Sequence, residues 1–331
     1  MKKRKAIALL SGGLDSTLAA KLIIDQGIDV IGLFLESPFG CKENVEGVAK
    51  HLGIPLRIVD KGMAFVELIR NPKYGYGKNI NPCIDCRIYM FHIAERVMHE
   101  EEADFIVTGE VLGQRPMSQR REAMDIIDRD SETEGLVLRP LSAQHNLPTK
   151  AETEGWVDRK KLLALSGRSR TEQLKWAETL QLKEYTAPAG GCLLTDANFS
   201  VRLHDFFEHR ENPTMTEVRL LRYGRHFDLT DGSHLVIGRN ASENDQLETI
   251  SKNDVKSGGM TFFRPAFSGP TAVLSGTGDN TALDEAIRLI AKYSKKGLTD
   301  DHIVEVHRGN NRSEIKIHFP PADAEALPVL P

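Results

Sequence analysis

The chain has 331 residues, enough for two domains with cores of their own. Lys and Arg number 43 against 47 Asp and Glu, a formal charge of −4, so no global basic field advertises nucleic acid and any such contact needs a local patch. Four cysteines are too few for a disulfide scaffold and no apolar run reaches membrane-spanning length. The basic start Met1–Lys5 precedes a run too short for a secretory signal, so the expected location is a reducing cytoplasm.

In chain order, Lys5–Leu10 reads as a buried strand, Ser16–Gln26 as a helix and Asp29–Glu36 as a second strand. A helix over Glu43–Leu52 and a strand over Pro55–Asp60 follow. Asn71–Pro82, "NPKYGYGKNINP", has no periodicity and reads as a mobile loop. Cys86–Glu102 is a long helical pattern that ends in "ADFIVTGE", a fourth strand running into a glycine turn. Strands alternating with helices predict an α/β class with a parallel sheet and helices on both faces, and ligands in such sheets bind beyond the carboxyl ends of the strands. The alternation stops after Leu194. We therefore divide the chain into residues 1–195 and a smaller α+β domain over 196–331, with a helix at Asp284–Tyr293 and a loose tail, "FPPADAEALPVLP".

Ser11–Ser16, "SGGLDS", stands just past the first strand. Paired glycines bare the backbone N–H groups, and the helix that follows adds its positive end. With the Ser11 and Ser16 hydroxyls as further donors, this makes a cradle for phosphate. It is neither a Walker loop, which needs Gly-Lys-Ser/Thr, nor a dinucleotide fingerprint. Read blandly, it is a strand–turn–helix junction with Asp15 as the cap.

Cys83 and Cys86 stand at the start of a helix, whose N-terminus favours thiolate. Cys192 sits in "AGGC", where backbone can pack close to a ligand. Three thiolates can hold a 4Fe–4S cluster with one iron open. Cys86 and Cys192 can equally form a redox pair that passes a persulfide sulfur, and zinc would need a fourth ligand. Cys41 reads as a small buried hydrophobe.

"SGGLDS" resembles the pyrophosphatase loop of the N-type ATP pyrophosphatases. "CRIYMFHIAERVMHEEEADFIVTGEVLGQRPMSQ" and "LRPL" resemble the tRNA 4-thiouridine synthase family, and the Asn-Pro-Cys-x2-Cys context is similar to the tRNA 2-thiouridylases. The resemblance covers roughly Lys5 to Asp196. It implies a PP-loop enzyme that adenylates a uridine carbonyl and replaces its oxygen by sulfur. ATP would be held by Ser11, Gly12, Gly13, Asp15, Ser16, Thr108, Gly109 and Gln114, with Mg2+ as a further cofactor. Asp15, Cys83, Cys86 and Cys192 would be catalytic, with the three cysteines as cluster ligands. The implied partners are tRNA and a sulfur donor, sulfide or a persulfide from a cysteine desulfurase; a homodimer is admitted.

The chain departs from the 4-thiouridine synthase family in starting its loop at residue 11 and in showing no rhodanese-like segment. In partial replacement, Arg225–Leu247 with "GRNASEND" resembles the RNA-binding domain of the NFACT family, which implies phosphate contacts by Arg222, Arg225, His226 and Arg239. The basic cluster Asp158–Arg170 reads equally as a contact or as a solvated face. The alternatives are sulfur insertion into a small molecule and a nucleotide-sensing RNA-binding module.

Overall fold

The computed structural model describes residues 3–40, 44–186, 192–294 and 301–318. The chain separates into two compact units, Met1–Asp196 and Ala197–Pro331. Cys41 and the tail from Phe319 lie outside the described residues.

The first unit runs β1 (Lys5–Leu9), α1 (Leu14–Ile24), β2 (Asp29–Glu36), α2 (Val45–Leu52), β3 (Leu56–Asp60), α3 (Gly62–Arg70), α4 (Cys83–Glu100), β4 (Phe105–Thr108), α5 (Arg121–Asp130), β5 (Val137–Leu138), α6 (Lys150–Thr153) and α7 (Thr171–Thr179). Its five strands lie in the order β3-β2-β1-β4-β5, all parallel. The period of two along a strand explains why both faces are covered. Ala6 and Ala8 of β1 and Phe105 and Val107 of β4 pack in the core beneath α1, whereas Ile7, Leu9 and Ile106 pack on the opposite face against Phe91, Ala94 and Val97 of α4. The strand order reverses between β1 and β4, the switch point at which such sheets bind ligands beyond the carboxyl ends of their strands.

Local chemistry sets the helix ends. The Asn44 side chain caps α2 by accepting from Gly47 N at 3.0 Å, and Gly53 closes it in the left-handed region. No side-chain cap opens α4. Its buried Asp85 instead accepts from the backbone N–H groups of Lys73 and Tyr74, at 2.9 and 3.0 Å. Asn71–Pro82 is thus irregular, as expected, yet fastened at several points. Tyr76 donates to Ile69 O at 2.7 Å and Asn79 to Thr195 O at 2.7 Å. The sequence reading did not place α3, α5 or the short β5.

The second unit contains α8 (Ala197–His209), α9 (Met215–Leu220), β6 (Arg225–Asp228), β7 (His234–Ile237), α10 (Ala241–Ser257), β8 (Met260–Pro265), β9 (Ala272–Ser275), α11 (Asn280–Lys292), β10 (Asp301–Arg308) and β11 (Asn311–His318). Its sheet, in the order β11-β10-β8-β9-β7-β6, is antiparallel throughout. α11 buries Ala282, Ala286 and Ile290 against Phe227, Phe263 and Leu274. No helix among the described residues is long and apolar enough to cross a membrane.

Candidate active site

The site is built from the loops after β1 and β4. Gly12 has φ +82°, a conformation that favours glycine, and Gly13 takes the N-cap position of α1 in extended geometry. The N–H groups of Leu14, Asp15 and Ser16 open this helix, where no intrahelical acceptor exists for them. The buried Ser16 hydroxyl accepts from Ser11 N at 3.1 Å and donates to Gly13 O at 3.0 Å. The Ser11 hydroxyl lies 3.1 Å from Ser16 Oγ and accepts from Gly13 N at 3.3 Å, so both hydroxyls are engaged within the loop and the backbone N–H groups at the start of α1 are the donors without a partner in it. Thr17 also donates to Gly13 O, at 3.0 Å.

Gly109 lies against this turn. A Cβ there would stand 2.5 Å from Asp15 C and Ser16 N and 2.6 Å from Asp15 O, all backbone atoms. Only glycine lets the β4 turn reach the first turn of α1. Thr108, the last residue of β4, is buried and fixes that turn from inside.

Asp15 is oriented by residues from two further loops. Gln114 Nε2 donates to its Oδ2 at 2.6 Å, Gln173 Nε2 donates in turn to Gln114 Oε1 at 2.9 Å, and Arg170 Nε stands 3.7 Å from the same Oδ2. The other oxygen, Oδ1, is buried without a hydrogen-bond partner. The loop carrying Arg170 is held beside the Gln114 loop by Gly167 N, which donates to Leu112 O at 2.7 Å. Gln114 is therefore bonded to Asp15 and Gln173 rather than solvated in its loop, and the "GRSR" end of the basic cluster reaches Asp15.

Cys83 and Cys86 occupy the first turn of α4, Thr186 N donates to Gly12 O at 2.8 Å, and Cys192 Sγ lies 3.9 Å from Phe39 O, just past β2. Cys192 stands six positions after Thr186, so even at full extension it lies within about 20 Å of that residue. All three thiols are free and half-buried. Cys86 Sγ accepts from the Nζ of Lys61, a buried lysine whose ammonium also lies 4.1 Å from the Phe65 ring centroid. Burial pushes the Cys192 thiol up to about 11, with Cys86 and Cys83 among its electrostatic neighbours. Burial also raises Cys83, and Cys86 adds to this, while Arg87 and Arg115 pull it down. The expected thiolate at the helix start is thus corrected for Cys83: desolvation outweighs the helix end. Among the described residues, the one group of three metal-type ligands within 4.8 Å of one another is Asp205, His209 and Asp228, so the three sulfurs are spread more widely than the roughly 3.8 Å of a single tetrahedral metal with bonds of ~2.3 Å. A cluster in which each thiolate binds a different iron suits that wider spacing.

Beneath the cysteines runs a buried charge chain that the sequence reading missed. Glu110, fully buried, lies 3.3 Å from Arg87 Nε and accepts from Arg139 Nε at 3.0 Å. Arg139 also donates to both oxygens of Asp128, at 2.6 and 2.7 Å. Burial disfavours the Arg139 charge, but Glu110 and Asp128 hold its pKa up. Arg115 shows the opposite balance. Burial lowers its pKa, Arg87 and Arg170 lower it further, and Asp15 and Cys83 raise it.

In the second unit, "GRNASEND" makes a helix start. Asn240 caps α10 by accepting from Glu243 N at 3.0 Å, and Glu243 accepts from Gly224 N and Arg239 N, at 3.1 and 2.9 Å. Arg239 is paired with the same carboxylate at 2.6 Å and remains half-exposed. Arg225 lies 4.7 Å over the Tyr293 ring, and Arg222 is partly exposed. His226 does not fit a surface role. It is fully buried and hydrogen-bonds His234 at 3.0 Å, which bonds Asp228 at 2.8 Å.

Fold and site together define an open parallel α/β unit with a glycine loop at its switch point, followed in the chain by an antiparallel α+β unit. Residues 2–146 match the family model described as thiamine biosynthesis protein (ThiI), and residues 224–328 match the model described as the NFACT protein RNA binding domain. A probable tRNA sulfurtransferase of Natranaerobius thermophilus is 34% identical over 46% of this chain and 39% of its own. A tRNA-specific 2-thiouridylase MnmA of Clostridium acetobutylicum is 34% identical over 32% of this chain and 35% of its own. The chain thus spans well under half the length of these relatives. A crystal structure of a 4-thiouridine synthetase–RNA complex with bound ATP aligns over 54% of this chain and 52% of its own, at 23% identity and a TM-score of 0.34.

Proposed function

We propose that the chain is an ATP-dependent tRNA sulfurtransferase: the first unit carries the chemistry and the second binds RNA. The observation that carries this reading is the convergence of the Gly12–Ser16 loop, an oriented Asp15 and three free cysteines at the carboxyl edge of one parallel sheet. The matches to sulfurtransferases and to an RNA-binding domain support it.

The loop's N–H groups and the positive end of α1 hold the β- and γ-phosphates of ATP. A uridine carbonyl oxygen attacks the α-phosphorus, the new O–P bond replaces the bond to the β-phosphate oxygen, and pyrophosphate leaves. Hydrosulfide then forms a C–S bond at the activated carbon, the C–O bond breaks, AMP departs with both electrons, and a proton is released. AMP makes the second step feasible because a bare carbonyl oxygen is a very poor leaving group. The orphaned Asp15 Oδ1 suits a hard cation, so Asp15 would hold Mg2+, which neutralises phosphate charge. Cys83, Cys86 and Cys192 would hold a 4Fe–4S cluster, which when bound supplies an open iron position for sulfur. Lys61 and Arg87 orient that ligand set, one through Cys86 and the other through Glu110. The phosphate contacts to RNA fall to Arg222, Arg225 and Arg239.

Incubating the full chain with ATP, sulfide and unmodified tRNA tests the reading. Pyrophosphate, AMP and thiouridine in the digested tRNA are expected; ADP as the nucleotide product, or turnover with no change in tRNA nucleosides, refutes it.

A further inference from the structure

A buried cation stands at the cysteines. Lys61 follows β3 directly and is only 7% exposed. Its backbone is held on both sides. Lys61 N donates to Glu36 O at the end of β2, at 3.0 Å, and Lys61 O accepts from the Tyr89 hydroxyl of α4 at 2.7 Å. The side chain runs to the same helix, where Nζ donates to Cys86 Sγ at 3.4 Å. The wall beside the ammonium is aromatic. Nζ lies 4.1 Å from the Phe65 ring centroid, and Phe65 packs against Tyr89 and Phe39, with ring centroids 5.6 and 6.4 Å away. Phe39 O lies 3.9 Å from Cys192 Sγ, so one aromatic wall links the lysine to a second cysteine. Met90 Sδ, 3.9 Å from Cys86 Sγ, carries no charge. Among the described residues no carboxylate pairs with Lys61, and the acceptor its ammonium reaches is sulfur. A buried ammonium is unfavourable unless an anion faces it, and an aromatic face offsets only part of that penalty.

We propose that Lys61 is the counter-ion of the cysteine site, a positioning residue that holds Cys86 and lets the loaded site accept an anionic sulfur ligand, hydrosulfide. The assignment rests on the cluster and the reaction proposed above and names the group that offsets the charge of the sulfur substrate. Three thiolates outweigh the charge of a 4Fe–4S core, so the loaded site is anionic, and hydrosulfide on the open iron adds to that charge. In a half-buried setting, like charges repel strongly, and a site of that sign with no cation beside it favours a neutral ligand. Lysine suits the position because its compact ammonium can face a ring and still direct one N–H at one sulfur. The same bond draws electron density from the Cys86 sulfur, which raises the reduction potential of a cluster bound to it.

Anaerobic reconstitution of the full chain with iron and sulfide tests this, followed by redox titration and by titration with hydrosulfide under visible and electron paramagnetic resonance spectroscopy. Lys61→Met keeps an unbranched apolar stem and removes the charge. It should load iron yet bind hydrosulfide about tenfold more weakly, as expected for loss of a charged hydrogen bond. Its one-electron reduction should become about tenfold less favourable, a fall of about 59 mV in midpoint potential. Lys61→Arg should recover part of both, whereas a role confined to packing would leave the potential unmoved. Wild-type hydrosulfide affinity in iron-loaded Lys61→Met overturns the assignment alone, whatever the potential. Where Lys61→Met fails to fold or load, wild-type protein with isotopically labelled lysine side chains decides. A hyperfine coupling between the reduced cluster and a lysine nitrogen supports the assignment, and its absence overturns it. Wild-type protein that loads no iron overturns the cluster reading and this assignment with it.

Discussion

Gly109→Ala probes the joint between the two loops of the site. The added Cβ would stand 2.5 Å from backbone atoms of α1, while ordinary contact begins at 3.4 Å. Those atoms belong to the first turn of a helix packed in the core through Leu14 and Leu18, so they cannot yield as a flexible side chain does. One loop must retreat by roughly 0.9 Å, and overpacking of this kind costs about 1–3 kcal/mol. For a unit of this size, each kcal/mol corresponds to about 2–4 °C, which puts the fall in Tm at about 2–12 °C. Both tryptophans, Trp156 and Trp176, lie in the first unit, so their fluorescence follows its melting alone. A displacement near 1 Å at a reacting centre costs on the order of 100-fold in rate, so pyrophosphate release should fall further than the stability loss alone explains. A variant that melts within about 1 °C of wild type and releases pyrophosphate at the wild-type rate would show that the two loops are not in contact in the way described.

Glu110→Gln leaves Arg87 and Arg139 without a shared anion in a buried setting and should destabilise the first unit by about 3–5 kcal/mol, read by denaturant melts of tryptophan fluorescence. Replacing Cys83, Cys86 or Cys192 singly by Ala should each abolish iron loading under anaerobic reconstitution, while Cys41→Ala should load normally; iron analysis decides. His226 is held neutral, well below its ordinary 6.5, by burial and then by the neighbouring charges of His234 and Arg202. The unfolded chain therefore binds a proton that the folded unit does not, so stability is complete above about pH 6.5 and falls below it by up to about 1.4 kcal/mol per unit. Calorimetry of the second unit's transition between pH 7.5 and 5.5 should show this fall, and His226→Phe should flatten it. Arg225→Ala with Arg239→Ala should weaken tRNA binding and lower the salt slope by roughly one to two units, measured by filter binding across salt concentrations.

The parallel unit was legible because its strands are short apolar runs separated by helix-period patterns. The expected Asp29–Glu36 matches β2 to the residue, and β1, β3 and β4 fall within a residue or two of the runs that announced them. α3 and α5 escaped notice for different reasons. α3 follows Asp60 directly, with Lys61 as a cap that supplies no side-chain bond, so no start signal precedes it. α5 has only Ala123, Met124 and Ile127 buried and, Ile126 apart, is otherwise charged, which made its apolar stripe too thin to separate from a loop. The glycine loop could be read from composition, but the proton of Ser16 could not, because its acceptor is the backbone of Gly13 three residues back. His226 misled because a histidine beside Arg225 in a strand looks like a phosphate contact, whereas both faces of β6 are covered: Phe227 packs with α11 on one and His226 against His234 on the other.

The buried charge chain shows why the strings that carried the resemblance stand so far apart in the sequence. Arg87 follows Cys86, Glu110 belongs to "TGEVLGQ" and Arg139 to "LRPL", three segments with no local relation. The fold joins them as Arg87–Glu110–Arg139–Asp128, through the 3.3 Å and 3.0 Å contacts of one carboxylate and the two bonds of one guanidinium. Such a chain is costly to bury and contributes little net stability against an apolar replacement. It does set a direction and a distance: it fixes the first turn of α4, and so Cys83 and Cys86, to the same turn after β4 that Gly109 presses against α1. The glycine contact sets the phosphate loop against that turn, and the ion pairs set the cysteines against it. The reaction proposed above, in which a carbon activated at the phosphate loop is attacked by sulfur, needs both distances fixed from a common origin, and the residues Gly109 and Glu110, adjacent in the chain, supply it.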